Sequence, residues 1–185
     1  MKLCATLVLG LSVVMLTQPA QARDRGANPV LYQQYASSHI PKFRGHKRAF
    51  PKHVRPPGKR VFIFSPRSKA WAAYAPNGRL VGYGRASGGA TWCRDVGRPC
   101  RTVRGTFRVY RKGSARCRSG KYPLPRGGAP MPYCMFFYKS YGIHGSPNVP
   151  NYNASHGCIR VKTRAAAWLS RYFIRHGTTV VVTSY

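Results

Sequence analysis

Residues 142–161 read Gly142-Ile143-His144-Gly145-Ser146-Pro147-Asn148-Val149-Pro150-Asn151-Tyr152-Asn153-Ala154-Ser155-His156-Gly157-Cys158-Ile159-Arg160-Val161. A histidine stands fourteen positions ahead of a cysteine, and that cysteine closes a Ser-His-Gly-Cys turn. Cysteine attacks as the thiolate, and a free pKa of ~8.5 leaves little thiolate at neutral pH. An imidazole that takes the proton solves this, as in Cys–His acyl-transfer sites. Gly157 lets the backbone turn tightly and lets a substrate carbonyl come close. The backbone N–H groups of His156, Gly157 and Cys158 then form a candidate oxyanion hole.

The stretch resembles the catalytic signature of the L,D-transpeptidases (YkuD-type domain). That signature is a His-Gly, a variable loop, then Ser-His/Lys-Gly-Cys, a hydrophobic residue, and Arg or Asn. Here these are His144-Gly145, the loop Ser146–Ala154, Ser155-His156-Gly157-Cys158, Ile159 and Arg160. The resemblance runs upstream through Thr102-Val103-Arg104-Gly105-Thr106-Phe107, with Val103 where the family often has Pro, and through Ala129-Pro130-Met131-Pro132-Tyr133. It implies Cys158 as nucleophile and His144 as general base and acid. It gives His156 a structural or substrate role, and sets Met131 and Tyr133 beside the acceptor groove. The Gly145 carbonyl is expected to orient His144, because no carboxylate stands near it in the sequence. Ser155, His156 and Arg160 are expected at the substrate, Arg160 as a bidentate anchor for a carboxylate. The implied reaction is acyl transfer from a tetrapeptide stem of peptidoglycan, with no cofactor. Water as acceptor would make the same site an L,D-carboxypeptidase.

The first 22 residues read as an export signal. Lys2 is followed by the apolar run Leu3 to Leu16 and by Ala20-Gln21-Ala22, an A-x-A cleavage site. The run is short for a membrane span of ~20 residues. The expected location is the periplasm or cell envelope, where thiols tend to pair. With Cys4 in the leader, Cys93, Cys100, Cys117, Cys134 and Cys158 remain, an odd number that leaves one thiol over. The motif makes that thiol Cys158. The other four allow three connectivities. Cys93–Cys100 and Cys117–Cys134 are favoured, the first closing a short loop that holds Asp95, Gly97 and Pro99.

Charge narrows the chemistry. There are 32 Lys and Arg against 2 acidic residues, for a net charge of +30. The acids are Asp24 and Asp95, with no Glu. Glycosidases that need two carboxylates are excluded, as are His-Glu-x-x-His metalloproteases and comfortable two-metal sites. Nucleophile-plus-histidine chemistry remains. A zinc site from His144, His156 and Cys158 is disfavoured because H-x-C is not a usual zinc spacing. His39, His46 and His53 are separated by prolines that exclude one helix face, so no metal is expected there either. The positive field draws polyanions such as anionic envelope polymers. No specific nucleic-acid motif is present. A second class of function is thus a non-catalytic cationic envelope-binding protein. A monomer is expected.

Residues 23–59 are Pro-rich and basic, with little periodicity, and are expected to be a disordered arm. Residues 60–185 form the expected domain. Strands are predicted at Val61–Phe64, Ala70–Tyr74, Leu80–Arg85, Thr106–Tyr110, Met135–Tyr138, Gly142–His144, Ile159–Val161 and Thr178–Thr183. One helix is predicted over 163–176, with Thr163 as N-cap, Gly177 as stop, and Ala166, Leu169, Tyr172 and Phe173 on one face. The string fits a mainly β fold, a sandwich of mixed and antiparallel strands with one helix near the C-terminus. The resemblance implies the same fold.

Overall fold

The structure is a computed structural model that describes residues 49–185. The expected leader and most of the expected arm lie outside these residues. Nine strands follow one another: β1 Val61–Ser65, β2 Ala70–Tyr74, β3 Leu80–Ser87, β4 Gly105–Arg108, β5 Arg111–Lys112, β6 Met135–Tyr138, β7 Tyr141–Ser146, β8 Ile159–Lys162 and β9 Thr179–Val182. They form one sheet in the order β4-β9-β1-β2-β3-β8-β7-β6-β5. Only β1–β9 and β7–β8 pair in parallel. The mainly β fold of mixed strands is as expected, and its strands form a single curled sheet. β3 joins its halves, pairing with β2 along Ala70–Tyr74 and with β8 at Ala86 and Ser87. The curl brings the far strands together: Phe107 of β4 lies 5.5 Å from Phe137 of β6, ring to ring.

The core is apolar because each strand turns a row of bulky or β-branched side chains inward. Phe62, Trp71, Val81, Ile143, Ile159, Val161 and Val180 are buried in one cluster with the inner face of the helix. Rings link the layers. Phe62 stacks on Trp71, whose ring lies 6.5 Å from that of Trp168 in the helix, and Trp168 stacks on Phe173. Gly82 allows the helix to sit this close, since a Cβ there would lie 2.9 Å from the Trp168 ring.

The helix differs from its predicted form. Its α-helical part, α1, is Thr163–Trp168, and Leu169–Phe173 winds as a wider π turn. Lys162, not Thr163, takes the N-cap position, with no side-chain cap. Helix geometry ends at Phe173 rather than 176, because Ile174 turns extended and is fully buried in the core. Lys112 Nζ then donates to the carbonyls of Ser170 and Ile174, at 2.5 and 2.7 Å. This caps the helix by a cation from β5, a strand too short to be read in the sequence.

Residues 51–58, expected to belong to the arm, instead dock on the domain. Lys52, Val54 and Gly58 exchange backbone hydrogen bonds with Leu80, Gly78 and Pro76 around the β2–β3 turn, and Pro51 accepts from the Tyr74 hydroxyl. Proline and charge discourage a core of one's own, but not docking of backbone onto a turn already formed. Among the described residues, no helix is long and apolar enough to cross a membrane.

Candidate active site

The parallel pair β7–β8 builds the site. Ile143 lies opposite Ile159, and His144 opposite Arg160. Side chains alternate along a strand, so Ile143 and Ile159 enter the core while His144 and Arg160 share the other face. Cys158 precedes β8 by one residue and belongs to that second face, one pleat repeat from Arg160. It packs against the small cluster of Met131, Cys134 and Phe136. The sequence separation of His144 and Cys158 thus becomes adjacency of two neighbouring strands.

His144 is buried, and its Nδ1 lies 2.9 Å from the Gly145 carbonyl oxygen. A carbonyl only accepts, so in the neutral ring Nδ1 carries the proton and Nε2 holds the lone pair. Burial pushes the His144 pKa down to about 4, against a rise from the Gly145 carbonyl and with a further lowering from Arg160. Burial also raises the Cys158 pKa, while a backbone hydrogen bond with Gly142 and the Arg160 charge oppose it. Sγ lies 3.6 Å from the Ser140 carbonyl. Both groups therefore favour their neutral forms in the free protein, a thiol and an imidazole on one face of neighbouring strands rather than a ready ion pair.

The turn before Cys158 is braced from within. The buried Ser155 hydroxyl donates to the Cys158 carbonyl at 2.5 Å and accepts from the Gly157 N–H at 3.0 Å. The sequence reading assigns Ser155 to substrate binding, but its hydroxyl is engaged inside the turn. Likewise the Gly157 N–H, expected in the oxyanion hole, is engaged with Ser155. Gly157 has φ +128°, and a Cβ there would lie 2.6 Å from the Tyr141 ring, so glycine is required. Thr102 braces the turn from outside: its hydroxyl donates to the Gly157 carbonyl at 2.8 Å.

Other expected site residues divide. Arg160 is half-buried; burial lowers its pKa while Cys158 and Tyr152 raise it, which places its charge at the thiol. Met131 is buried in the cluster that touches Cys158. Tyr133 turns instead to Arg171, which donates to its hydroxyl at 3.0 Å. His156 is partly exposed, and its Nε2 lies 2.7 Å from Asp95 Oδ2. The sequence reading missed this pair; the only signal was Asp95 itself, the sole acidic side chain between residues 49 and 185. Both favoured disulfides are present, Cys93–Cys100 and Cys117–Cys134, and Cys158 is the free thiol among the described residues.

Of the trio weighed for zinc, the structure brings only His156 into another group of possible ligands. Cys93, Asp95 and His156 offer atoms within 4.8 Å of one another. The Cys93 sulfur is bonded to Cys100, so it has no thiolate to give, and the donor set does not fit a metal.

Comparison with known proteins bears on the fold and the family. No match was found among curated protein sequences. Among solved structures, an L,D-transpeptidase from Xylanimonas cellulosilytica is 28% identical, with a TM-score of 0.60 over 72% of this chain and 64% of that one. An L,D-transpeptidase from Stackebrandtia nassauensis is 16% identical, with a TM-score of 0.57 over 75% and 62%. L,D-transpeptidase 3 from Mycobacterium tuberculosis, in complex with a faropenem-derived adduct, is 20% identical, with a TM-score of 0.55 over 68% and 60%. The latter two likenesses concern the fold alone, and the chain spans less than two thirds of each of the three. The family described as L,D-transpeptidase catalytic domain (YkuD) matches residues 58–182, which take in both halves of the sheet and the His144–Cys158 face. The chain belongs to the L,D-transpeptidase catalytic domain family.

Proposed function

We propose that this protein is a cysteine acyltransferase that cleaves and rejoins peptidoglycan stem peptides, with Cys158 as nucleophile and His144 as base. The observation that carries the reading is the tautomer that the Gly145 carbonyl imposes on His144, leaving Nε2 unprotonated on the face shared with Cys158. When a stem carbonyl docks, Nε2 takes the thiol proton as sulfur attacks, which avoids keeping a buried thiolate in the resting enzyme. The N–H groups of His156 and Cys158 face the oxyanion, since that of Gly157 is engaged. His144 returns the proton to the leaving amine. The thioester then passes to an amine on a second stem or on a protein, giving a cross-link. Arg160 holds the stem carboxylate.

The experiment is incubation of the protein with purified disaccharide-tetrapeptide, read by mass spectrometry for cross-linked dimer and for released terminal residue. Cys158→Ala abolishes both products and covalent capture by a carbapenem while the fold persists; turnover surviving in that variant would end the reading. Release of the terminal residue without dimer would make the protein an L,D-carboxypeptidase. Export to the cell envelope is part of the proposal, since that is where the substrate lies; residues 1–22 supply the address.

A further inference from the structure

His156 is met by two segments far from it in sequence. Asp95 reaches it from the short helical turn Arg94–Val96, inside the loop closed by the Cys93–Cys100 bridge. Tyr122, from the excursion between β5 and β6, stacks on the imidazole with ring centroids 4.0 Å apart and planes at 20°. Arg98 and Lys121 stand on Tyr122, one at its hydroxyl and one over its ring. The choice of partner is informative. With 32 Lys and Arg in the chain, a surface carboxylate placed at random would meet a cation of that kind far sooner than one of 6 histidines. Asp95 instead meets the histidine two positions before Cys158.

A carboxylate only accepts, so Nε2 of His156 carries a proton. In the neutral ring the lone pair is then on Nδ1, which has no hydrogen-bond partner among the described residues. His144 is tied the opposite way, with Nδ1 held and Nε2 free. Two imidazoles, each with one nitrogen fixed and one lone pair, thus flank Cys158 along the chain and across the sheet: His156 two positions before it, His144 on the strand paired with the one it leads into.

Acyl transfer to an amine has work for two bases. The acceptor arrives as an ammonium and must lose one proton before it can attack. It loses a second when the tetrahedral species collapses. We infer that the Asp95–His156 dyad takes the first of these protons and so activates the acceptor, while His144 takes the second. The inference rests on the acyl-transfer reading above. Nδ1 of His156 accepts a proton from the ammonium, and the Asp95 carboxylate stabilises the imidazolium. The amine nitrogen bonds to the thioester carbon. His144 Nε2 receives the second proton, the C–S bond breaks, and that proton passes to the Cys158 sulfur as it leaves. The proton on His156 goes to water. One ammonium and one thioester become one amide, one thiol and one released proton. Asp95 acts through His156 and is a positioning residue.

The test separates the half-reactions in the full-length chain. Carbapenem acylation, followed by intact mass, reads Cys158 and His144 without an acceptor. Disaccharide-tetrapeptide incubation reads the partition of the acyl-enzyme between amine (dimer) and water (tripeptide). In Asp95→Asn, carbapenem acylation is unchanged and the dimer-to-tripeptide ratio falls roughly tenfold or more near pH 7. The deficit closes as pH rises toward the ordinary pKa of an alkyl amine, ~10.4, because the acceptor then arrives unprotonated. Asp95→Glu restores part of the ratio. An unchanged ratio, a deficit that ignores pH, or a parallel loss of acylation would each overturn the inference. A wild-type chain that takes no acyl group at all would sink the acyl-transfer reading itself, which is a separate failure.

Discussion

His144 is the residue whose environment most clearly sets its chemistry. Its ordinary pKa of 6.5 is pushed to about 4 by burial, so the ring is a neutral base throughout the neutral range. The stability consequence has a definite sign. Between those values the unfolded chain binds a proton that the folded chain refuses, so stability falls as pH drops from 6.5 to about 4 and this contribution is flat below. The loss is on the order of 3 kcal/mol at ~1.36 kcal/mol per unit. Chemical denaturation at pH 7 and pH 4 should show it, and His144→Gln should remove most of the difference; an equal drop in that variant would refute the assignment. Carbapenem acylation should persist to mildly acidic pH for the same reason. The pairing of His144 with a carbonyl was legible in the sequence, because a chain so poor in acids leaves little else to orient an imidazole. The pairing of His156 with Asp95 was not. They are separated by 61 positions, and no spacing rule joins a disulfide loop to a turn so far along the chain.

At the scale of elements, the Ser-His-Gly-Cys turn is held by parts of the chain distant in sequence. Thr102 donates to the Gly157 carbonyl and accepts from the Gly89 N–H at 2.9 Å, while its own N–H donates to the Tyr185 hydroxyl at 2.7 Å. Thr102→Val keeps the shape and removes the hydroxyl, leaving a buried donor and acceptor unpaired. That should cost ~1–3 kcal/mol and slow carbapenem acylation, whereas Thr102→Ser should preserve both. Denaturant midpoints and acylation rates of the two variants decide it; equal behaviour would deny the hydroxyl its role. The strands themselves were readable because alternation and turn residues bracket them. β5 was not, since two residues carry no period. The helix was placed correctly at its start region and overextended at its end: the pattern of Leu169, Tyr172 and Phe173 continues smoothly, but Ile174 gains more by entering the core than by another turn of helix. The two bridges were readable only as one of three pairings, and the fold decides between them by bringing Cα atoms to 5.9 and 6.1 Å.

For the whole molecule, the governing fact is a net charge of +30. A field of this sign concentrates polyanions at the surface. Binding to intact peptidoglycan sacculi should therefore weaken steeply between low and high salt, since exposed charges act over only ~10 Å at 0.1 M salt. Carbapenem acylation, which depends on contacts around Cys158, should barely respond. Pull-down and acylation rate at two salt concentrations test this, and sacculus binding indifferent to salt would leave the charge a role in solubility alone. The way the fold accommodates its cations has another consequence. Arg60, Arg108, Arg118 and Lys112 donate to backbone carbonyls, and Arg111 and Arg171 lie over aromatic rings. Carbonyls and aromatic rings of this kind do not titrate in acid. Acid loosens most proteins by discharging the carboxylates that hold their cations; here an acid rinse finds Asp95 as its one such handle between residues 49 and 185. What holds these arginines and lysines in place at pH 7 is still there to hold them in vinegar.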